Sequence, residues 1–238
     1  MNRNNLQSFS QNHWTGKTDG AHRESSEEWL SKYAHELLAM LPIRGTLLDV
    51  GCGSCQVTTY LAREFDQVYG IDFSESMLSA GRERISSLGV RNIELMFGTA
   101  QAFPHAIGHP TVILSHAVIQ YMPLGDFRRH LYECRRVLAQ GGVVCAAQIP
   151  NSELKKIYYR GRLVPLQDRF AGRLRRQLEL TRRQLKAHLQ KDLLWDAIGN
   201  WYTQAEVRQV ASEVGFAVEF RNCWYSEYRF HAVFTPVR

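Results

Sequence analysis

From residue 46 onward, short apolar runs alternate with stretches whose apolar positions recur every three to four residues. The first run, over 46–50, has the length and density of a strand buried on both sides, and a glycine turn follows it. The pattern then predicts a helix over 56–65, a strand over 67–72, a helix over 76–88 behind Ser74 as its cap, and a strand over 92–97. A strand over 111–115, a helix over 125–138 ended by Gly141 and Gly142, and a strand over 143–149 complete the series. Ahead of it, Ser25 or Ser26 followed by Glu27 and Glu28 marks a helix start, because a hydroxyl and two acids suit the free N–H groups there. Trp29, Tyr33, Leu37 and Met40 then fall at helical spacing, and Pro42 stops the run. Residues 1–23 are polar without a period and read as a tail or flap. At the other end the pattern predicts a helix over 206–214, a stop at Gly215, and strands over 216–223 and 229–234. The connection between those two strands is too short for a crossover helix, so they are expected to pair antiparallel.

Strand and helix alternating at this pace predict an α/β fold: a mostly parallel sheet with helices on both faces and an antiparallel terminal pair. Four regions are expected. They are an N-terminal flap and helix (1–43), an α/β core (44–150), a basic helical cap inserted after the fifth strand (151–200), and a C-terminal helix and strand pair that completes the core (201–238).

Composition narrows this reading little. With 238 residues, 45% of them apolar and 22% charged, the chain can bury a sizeable core and is not expected to be disordered. No apolar run approaches the ~20 residues of a membrane helix. The first seven residues lack the apolar core of a secretory signal, so the expectation is a cytoplasmic protein. Cys52, Cys55, Cys134, Cys145 and Cys223 form no disulfide framework. Cys52 and Cys55 make a C-x-x-C without a second Cys or His pair, and read as reduced thiols; no metal is expected. Charge is more telling. Between Lys155 and Lys191 stand twelve Lys or Arg against two acids, a net of +10, which leaves −4 for the rest of a chain whose total is +6.

The candidate chemistry begins at Asp49-Val50-Gly51-Cys52-Gly53-Ser54-Cys55, where a strand hands over to a helix. Residues without Cβ let backbone N–H groups approach a ligand there. Asp72 ends the next strand, where an acid can accept both hydroxyls of an adenosine ribose. A glycine turn alone is equally a tight loop; turn and acid together at this spacing indicate a nucleoside. A dinucleotide fingerprint would need a third glycine where Gln56 stands, and without it a pyrophosphate is poorly cradled. S-adenosylmethionine has no phosphates and makes no such demand.

Leu47-Leu48-Asp49-Val50-Gly51-Cys52-Gly53-Ser54-Cys55 resembles the first motif of class I S-adenosylmethionine-dependent methyltransferases, in the broad group that includes ubiquinone/menaquinone-biosynthesis and sugar or polysaccharide enzymes. Tyr69-Gly70-Ile71-Asp72-Phe73-Ser74-Glu75-Ser76-Met77-Leu78 is similar to the second motif, and Gly98-Thr99-Ala100-Gln101-Ala102-Phe103-Pro104 to the third. The resemblance implies a Rossmann-like sheet of seven strands and S-adenosylmethionine as cofactor, with S-adenosylhomocysteine as product. It implies that Asp49, Gly51, Cys52 and Gly53 lie by the methionine end, and that Asp72 takes the ribose. Phe73 and Met77 would then flank the adenine, Thr99, Ala100 and Gln101 its edge, and the Ser115 backbone would face the amino group. Two departures stand out. Cys55 replaces a third family glycine, and Thr99 stands where an Asp commonly accepts from the adenine amine.

Methyl transfer is an in-line displacement in which proximity supplies much of the rate, and a base serves an acceptor that loses a proton. His116 is the first candidate base, with Tyr121 and His22 behind it; a histidine at His116 could equally be a pocket wall. In the basic segment, Leu174, Leu178, Leu185 and Leu189 share a helical face opposite Arg175, Arg176, Arg182 and Arg183. It reads either as a solvated face or as a binder of anions: a phosphate-bearing acceptor or an anionic membrane surface. Nucleic acid is disfavoured because no aromatics interleave the arginines. Arg175, Arg182, Trp201 and Tyr202 are the candidate acceptor-binding residues. Segments 196–202 and 228–231 are similar to features of methyltransferases that act on sugars. The expectation is methyl transfer to a small-molecule or glycan-type acceptor, at oxygen, by a monomer or homodimer. The alternatives are N- or C-methylation of another metabolite, or a S-adenosylmethionine-binding partner subunit without turnover.

Overall fold

All seven apolar runs assigned to strands enter one sheet in the computed structural model, which describes residues 26–41, 44–159, 199–224 and 226–237. The strands are β1 (Thr46–Val50), β2 (Gln67–Asp72), β3 (Ile93–Phe97), β4 (Val112–His116), β5 (Val143–Pro150), β6 (Phe216–Asn222) and β7 (Arg229–Pro236). Their order is β3-β2-β1-β4-β5-β7-β6. The first five are parallel, and β7 pairs antiparallel with both β5 and β6. Strand order reverses between β1 and β4, and their carboxyl ends therefore open the crevice in which such sheets hold ligands.

Alternation along each strand feeds two apolar layers. Leu48 and Val50 of β1, with Ile113, Val144 and Ala146, pack beneath the helices α4 (Leu124–Val137) and α6 (Gln204–Val214). Leu47, Val112, Leu114, Cys145 and Ala147 face the other way, toward α1 (Glu27–Met40) and α2 (Thr58–Leu61). Each fully buried aliphatic or aromatic side chain here contributes about 1.5–3 kcal/mol. The helix ends carry the expected chemistry. The Ser26 hydroxyl accepts from the Trp29 N–H at 3.2 Å to start α1, and Ser74 caps α3 (Glu75–Ser87). Thr203 and Glu206 form a capping box at α6, and Gly215 ends that helix at φ 81°.

Two expectations are corrected. The helix expected over 56–65 is the four-residue α2 followed by a 3-10 turn, Ala62–Glu64. Its start is held back by the turn that Cys55 N–H closes on the Cys52 carbonyl, and by Thr58, whose hydroxyl is tied to Asp49. Its end is cut off where the Asn92 amide donates to the Ala62 and Phe65 carbonyls, both at 2.8 Å. His116 is the last residue of β4 and not the first beyond it. Beyond β5, a 3-10 turn (Ser152–Leu154) leads into α5 (Lys155–Tyr159). The remainder of the expected cap, with Arg175 and Arg182, lies outside the described residues, as do His22 and the expected flap. No helix among the described residues is long and apolar enough to cross a membrane.

Candidate active site

The loop after β1 is fastened before any ligand arrives. Gly51 and Cys52 both donate their N–H groups to the Ile71 carbonyl of β2, at 2.7 and 3.1 Å. Gly51 has φ 75°, and a Cβ on it would stand 2.5 Å from Val118 Cγ2, so only glycine lets the β1 and β4 loops meet across the switch point. Gly53 has φ 54°, and a Cβ there would meet nothing within 4 Å. The loop thus presents an open cradle edged by backbone. Cys55, at φ 59°, holds a left-handed conformation with a full side chain, buried against Leu78.

Asp72 ties this cradle to the next loop. Its Oδ2 accepts from Gly53 N–H at 3.0 Å and its Oδ1 from Ser74 N–H at 2.9 Å. Burial pushes its carboxyl up from the usual range against those two donors. Each oxygen retains a lone pair, which a pair of ribose hydroxyls could use. Asp49 is fully buried in β1, its Oδ2 accepting from the Thr58 hydroxyl at 2.7 Å, while Oδ1 has no hydrogen-bond partner. Burial lifts it to about 7, with Thr58 opposing. Substituting Thr58→Val is therefore expected to destabilise the fold at pH 8 by about 1–3 kcal/mol, since it strips a buried carboxylate of its donor. The loss should shrink at pH 5, where Asp49 is protonated; an equal loss in urea melts at both values would assign Thr58 a packing role alone.

Of the residues expected at the adenine, Phe73 is half-buried beside Asp72, whereas Met77 is interior at 2% exposure. Thr99 and Ala102 close a small bridge that orients Ala100 and Gln101. A residue that the sequence did not single out organises this edge. His130 of α4 donates from Nδ1 to the Ala100 carbonyl at 2.8 Å, so its Nε2 is bare and accepts from the Ser115 hydroxyl at 2.9 Å. Burial holds His130 at about 4, neutral at physiological pH. Its one signal was a polar residue on the apolar face defined by Phe127, Leu131 and Cys134.

Across the switch point lies the second half of the crevice. His116 ends β4 at 8% exposure, its ring centroid 6.0 Å from that of Tyr33 in α1. Burial lowers it to about 4, so it is a neutral imidazole. Tyr121 closes the 3-10 turn Ile119–Tyr121; burial raises its hydroxyl, opposed by Gln120 and by the charge of Arg229. Arg229 in turn donates from Nη1 to the Gln148 carbonyl at 2.7 Å, and Gln148 sits at φ 62° in the bulge of β5. Trp201 is half-buried near these groups, but Tyr202 belongs to the core. It is 3% exposed against Phe127, with its hydroxyl donating to the Met122 carbonyl.

Glu36, Cys223 and His231 bring potential metal-ligand atoms within 4.8 Å of one another. The hydrogen bonds favour a different use. Gln148 N–H donates to His231 Nδ1 at 3.2 Å, so the ring proton sits on Nε2 and donates to Glu36 Oε1 at 3.2 Å. Glu36 also accepts from Trp224 N–H at 2.8 Å. The trio clasps α1 to β7.

A family model described as a methyltransferase domain matches residues 47–142. A demethylmenaquinone methyltransferase of Bacillus cytotoxicus is 36% identical over 105 residues, covering 41% of this chain and 42% of the relative. One from Geobacillus stearothermophilus is 30% identical over 118 residues, covering 47% and 50%. The chain thus matches half or less of the length of these relatives. In fold, it is similar to a S-adenosylmethionine-dependent methyltransferase from Clostridium acetobutylicum, with TM-score 0.64, 11% identity, and 98% and 99% of the two chains covered. The magnesium protoporphyrin IX methyltransferase of Synechocystis with bound S-adenosylhomocysteine gives 0.59, 14%, and 98% and 94%. Residues 47–142 thus match a methyltransferase domain, and the chain's fold is similar to that of S-adenosylmethionine-dependent methyltransferases.

Proposed function

We propose that this chain transfers a methyl group from S-adenosylmethionine to an oxygen of a small-molecule acceptor. The observation that carries the reading is the cradle at the ends of β1 and β2. Gly53 opens onto free space, Asp72 is pinned beside it by two backbone N–H groups, and Asp49 keeps one buried oxygen without a partner. That donor set fits a nucleoside with a cationic tail and no phosphates. Asp72 would hold the ribose hydroxyls, Phe73 and the 99–101 loop the adenine, and Asp49 with the Gly51–Gly53 backbone the charged methionine end. The cofactor, when bound, supplies a methyl group activated by a sulfonium. His116, a neutral imidazole at the end of β4, takes the proton of the acceptor hydroxyl. Its low basicity is sufficient, because an oxygen that has gained a methyl group becomes a far stronger acid than imidazolium.

The glycan reading drew on Arg175 and Arg182, outside the described residues, and on segment 228–231, in which Phe230 and His231 are interior. It remains one arm of the test. Calorimetry should show S-adenosylmethionine binding, and Asp72→Ala should weaken it by about 1–3 kcal/mol through lost charge-assisted hydrogen bonds. Formation of S-adenosylhomocysteine is then followed against aromatic, sugar and sugar-phosphate alcohols. Absent binding of S-adenosylmethionine would sink the proposal; binding with no turnover on any acceptor would leave a non-catalytic subunit.

A further inference from the structure

Four aromatic residues from three distant segments of the chain meet beyond the carboxyl end of β5, at the same end of the sheet as the cradle. Tyr158 of α5 lies 4.4 Å from Tyr228 and 5.5 Å from Trp201, centroid to centroid, and Trp201 lies 5.6 Å from Tyr228; Tyr159 packs at the margin. Backbone hydrogen bonds hold the three segments together. Asn151 N–H donates to the Tyr228 carbonyl at 2.8 Å, Tyr202 N–H to Pro150 at 2.9 Å, and Ser152 N–H to Tyr202 at 3.0 Å. Asn200 then docks on the Gln120 carbonyl through its N–H at 2.7 Å and its side-chain amide at 3.1 Å. The platform is thereby fixed to the turn that carries Tyr121, one step from His116. Core aromatics such as Phe127 and Phe234 are fully buried, whereas Trp201 and Tyr228 are half-buried.

Cations accompany the rings. The Arg229 guanidinium carbon lies 5.1 Å from the Tyr228 centroid, and Lys155 Nζ lies 5.6 Å from that of Trp201. Arg229 is also the charge that pulls on the Tyr121 hydroxyl, so it stands between platform and crevice. With a guanidinium held over the Tyr228 ring and an ammonium over the Trp201 ring, the cluster favours a flat π-surface that carries negative charge. A pyranose also stacks on a ring, but among the described residues the charged groups over these rings are the cations Lys155 and Arg229.

We infer that Trp201 and Tyr228, backed by the buried Tyr158, form the acceptor subsite for a planar aromatic ring bearing an acidic hydroxyl or carboxylate, with Arg229 as its anion partner. The inference rests on the methyltransferase reading of the same crevice. Arg229 stabilises negative charge on the ring, which makes a neighbouring hydroxyl a better nucleophile. In the transfer, that oxygen forms the new bond to the methyl carbon, the electron pair of the broken carbon–sulfur bond returns to sulfur, and the hydroxyl proton passes to His116.

The test uses the full chain saturated with S-adenosylhomocysteine, and 1-hydroxy-2-naphthoate as probe, with neutral 1-naphthol and glucose 6-phosphate alongside. The naphthoate is expected to quench tryptophan fluorescence and to bind at least tenfold tighter than either comparator. Trp201→Leu should weaken it at least tenfold and Trp201→Phe far less, which separates loss of a ring from loss of packing. Arg229→Gln should erase the preference for naphthoate over naphthol, and Arg229→Lys should restore part of it. Both residues lie outside the cradle, so S-adenosylhomocysteine affinity should stay within about twofold. Naphthoate that binds no tighter than glucose 6-phosphate, or equally to the folded variants, would overturn the subsite while leaving the cofactor reading intact. Failure of S-adenosylhomocysteine to bind the wild type would instead remove the methyltransferase reading, and the subsite with it.

Discussion

Asp49→Asn is expected to weaken S-adenosylmethionine binding about 30- to 100-fold at pH 8, from the loss of a charged, desolvated acceptor worth about 2–3 kcal/mol. The same substitution should make the fold less sensitive to pH. In the native state Asp49 titrates at about 7, against 3.8 for an unperturbed carboxyl. The folded protein therefore binds this proton more tightly than the unfolded chain. That preference contributes stability in full below the unfolded value, and it is lost as pH rises through about 7. Between pH 5 and pH 8 the wild type should give up about 2–3 kcal/mol that Asp49→Asn does not. Urea melts of both proteins at the two pH values measure the difference, with all other groups cancelling. Binding should mirror stability. A cationic ligand competes with the proton, so wild-type affinity should climb as pH rises toward 7 and then level, while the Asn variant stays flat. Equal affinity of the two proteins at pH 8 would remove Asp49 from the cofactor site, whatever the melts show. The buried oxygen without a partner is a cost to stability that a bound cation would offset.

The sheet was readable because its strands are buried on both faces, and two-sided burial writes itself into the chain as dense apolar runs. Leu47 and Leu48 feed opposite layers from adjacent positions, and so do Val143 through Ile149. The glycine turn and the place of Asp72 at the end of β2 were equally legible, since both depend on backbone and on strand ends that local sequence defines. Elements governed by tertiary ties were not. The helix over 56–65 kept its apolar period, yet Asn92, arriving from before β3, takes the carbonyls that would have extended it. Tyr202 and Trp201 are neighbours with opposite fates, because one hydroxyl finds the Met122 carbonyl inside the core. The crevice wall escaped for the same reason. Tyr33, Gln148 and Arg229 meet His116 and Tyr121 only after β4, β5, β7 and α1 are in place, and no local spacing announces that Gln148 will adopt φ 62° in a bulge.

His116→Gln should lower kcat by about 100-fold or more if the imidazole accepts the acceptor proton, within the range for loss of a general base. Glutamine keeps a polar side chain of similar reach, so Tyr33 still has a partner surface and S-adenosylmethionine affinity should hold. The pH profile distinguishes the base from its surroundings. Burial places His116 at about 4, so the imidazole is already neutral across pH 5–8 and contributes no limb there. The acid limb of kcat/KM expected near pH 7 belongs to Asp49 and should persist in His116→Gln while vanishing in Asp49→Asn. A histidine titrating in the ordinary range would instead add a second limb near 6.5 that disappears with the His116 substitution. A kcat within about threefold of wild type, together with a lower melting temperature, would reduce His116 to a wall that packs on Tyr33. No base would then be needed, because the acceptor would bind beside Arg229 already ionised, its proton lost to solvent, and the rate should respond to Arg229→Gln in place of His116→Gln.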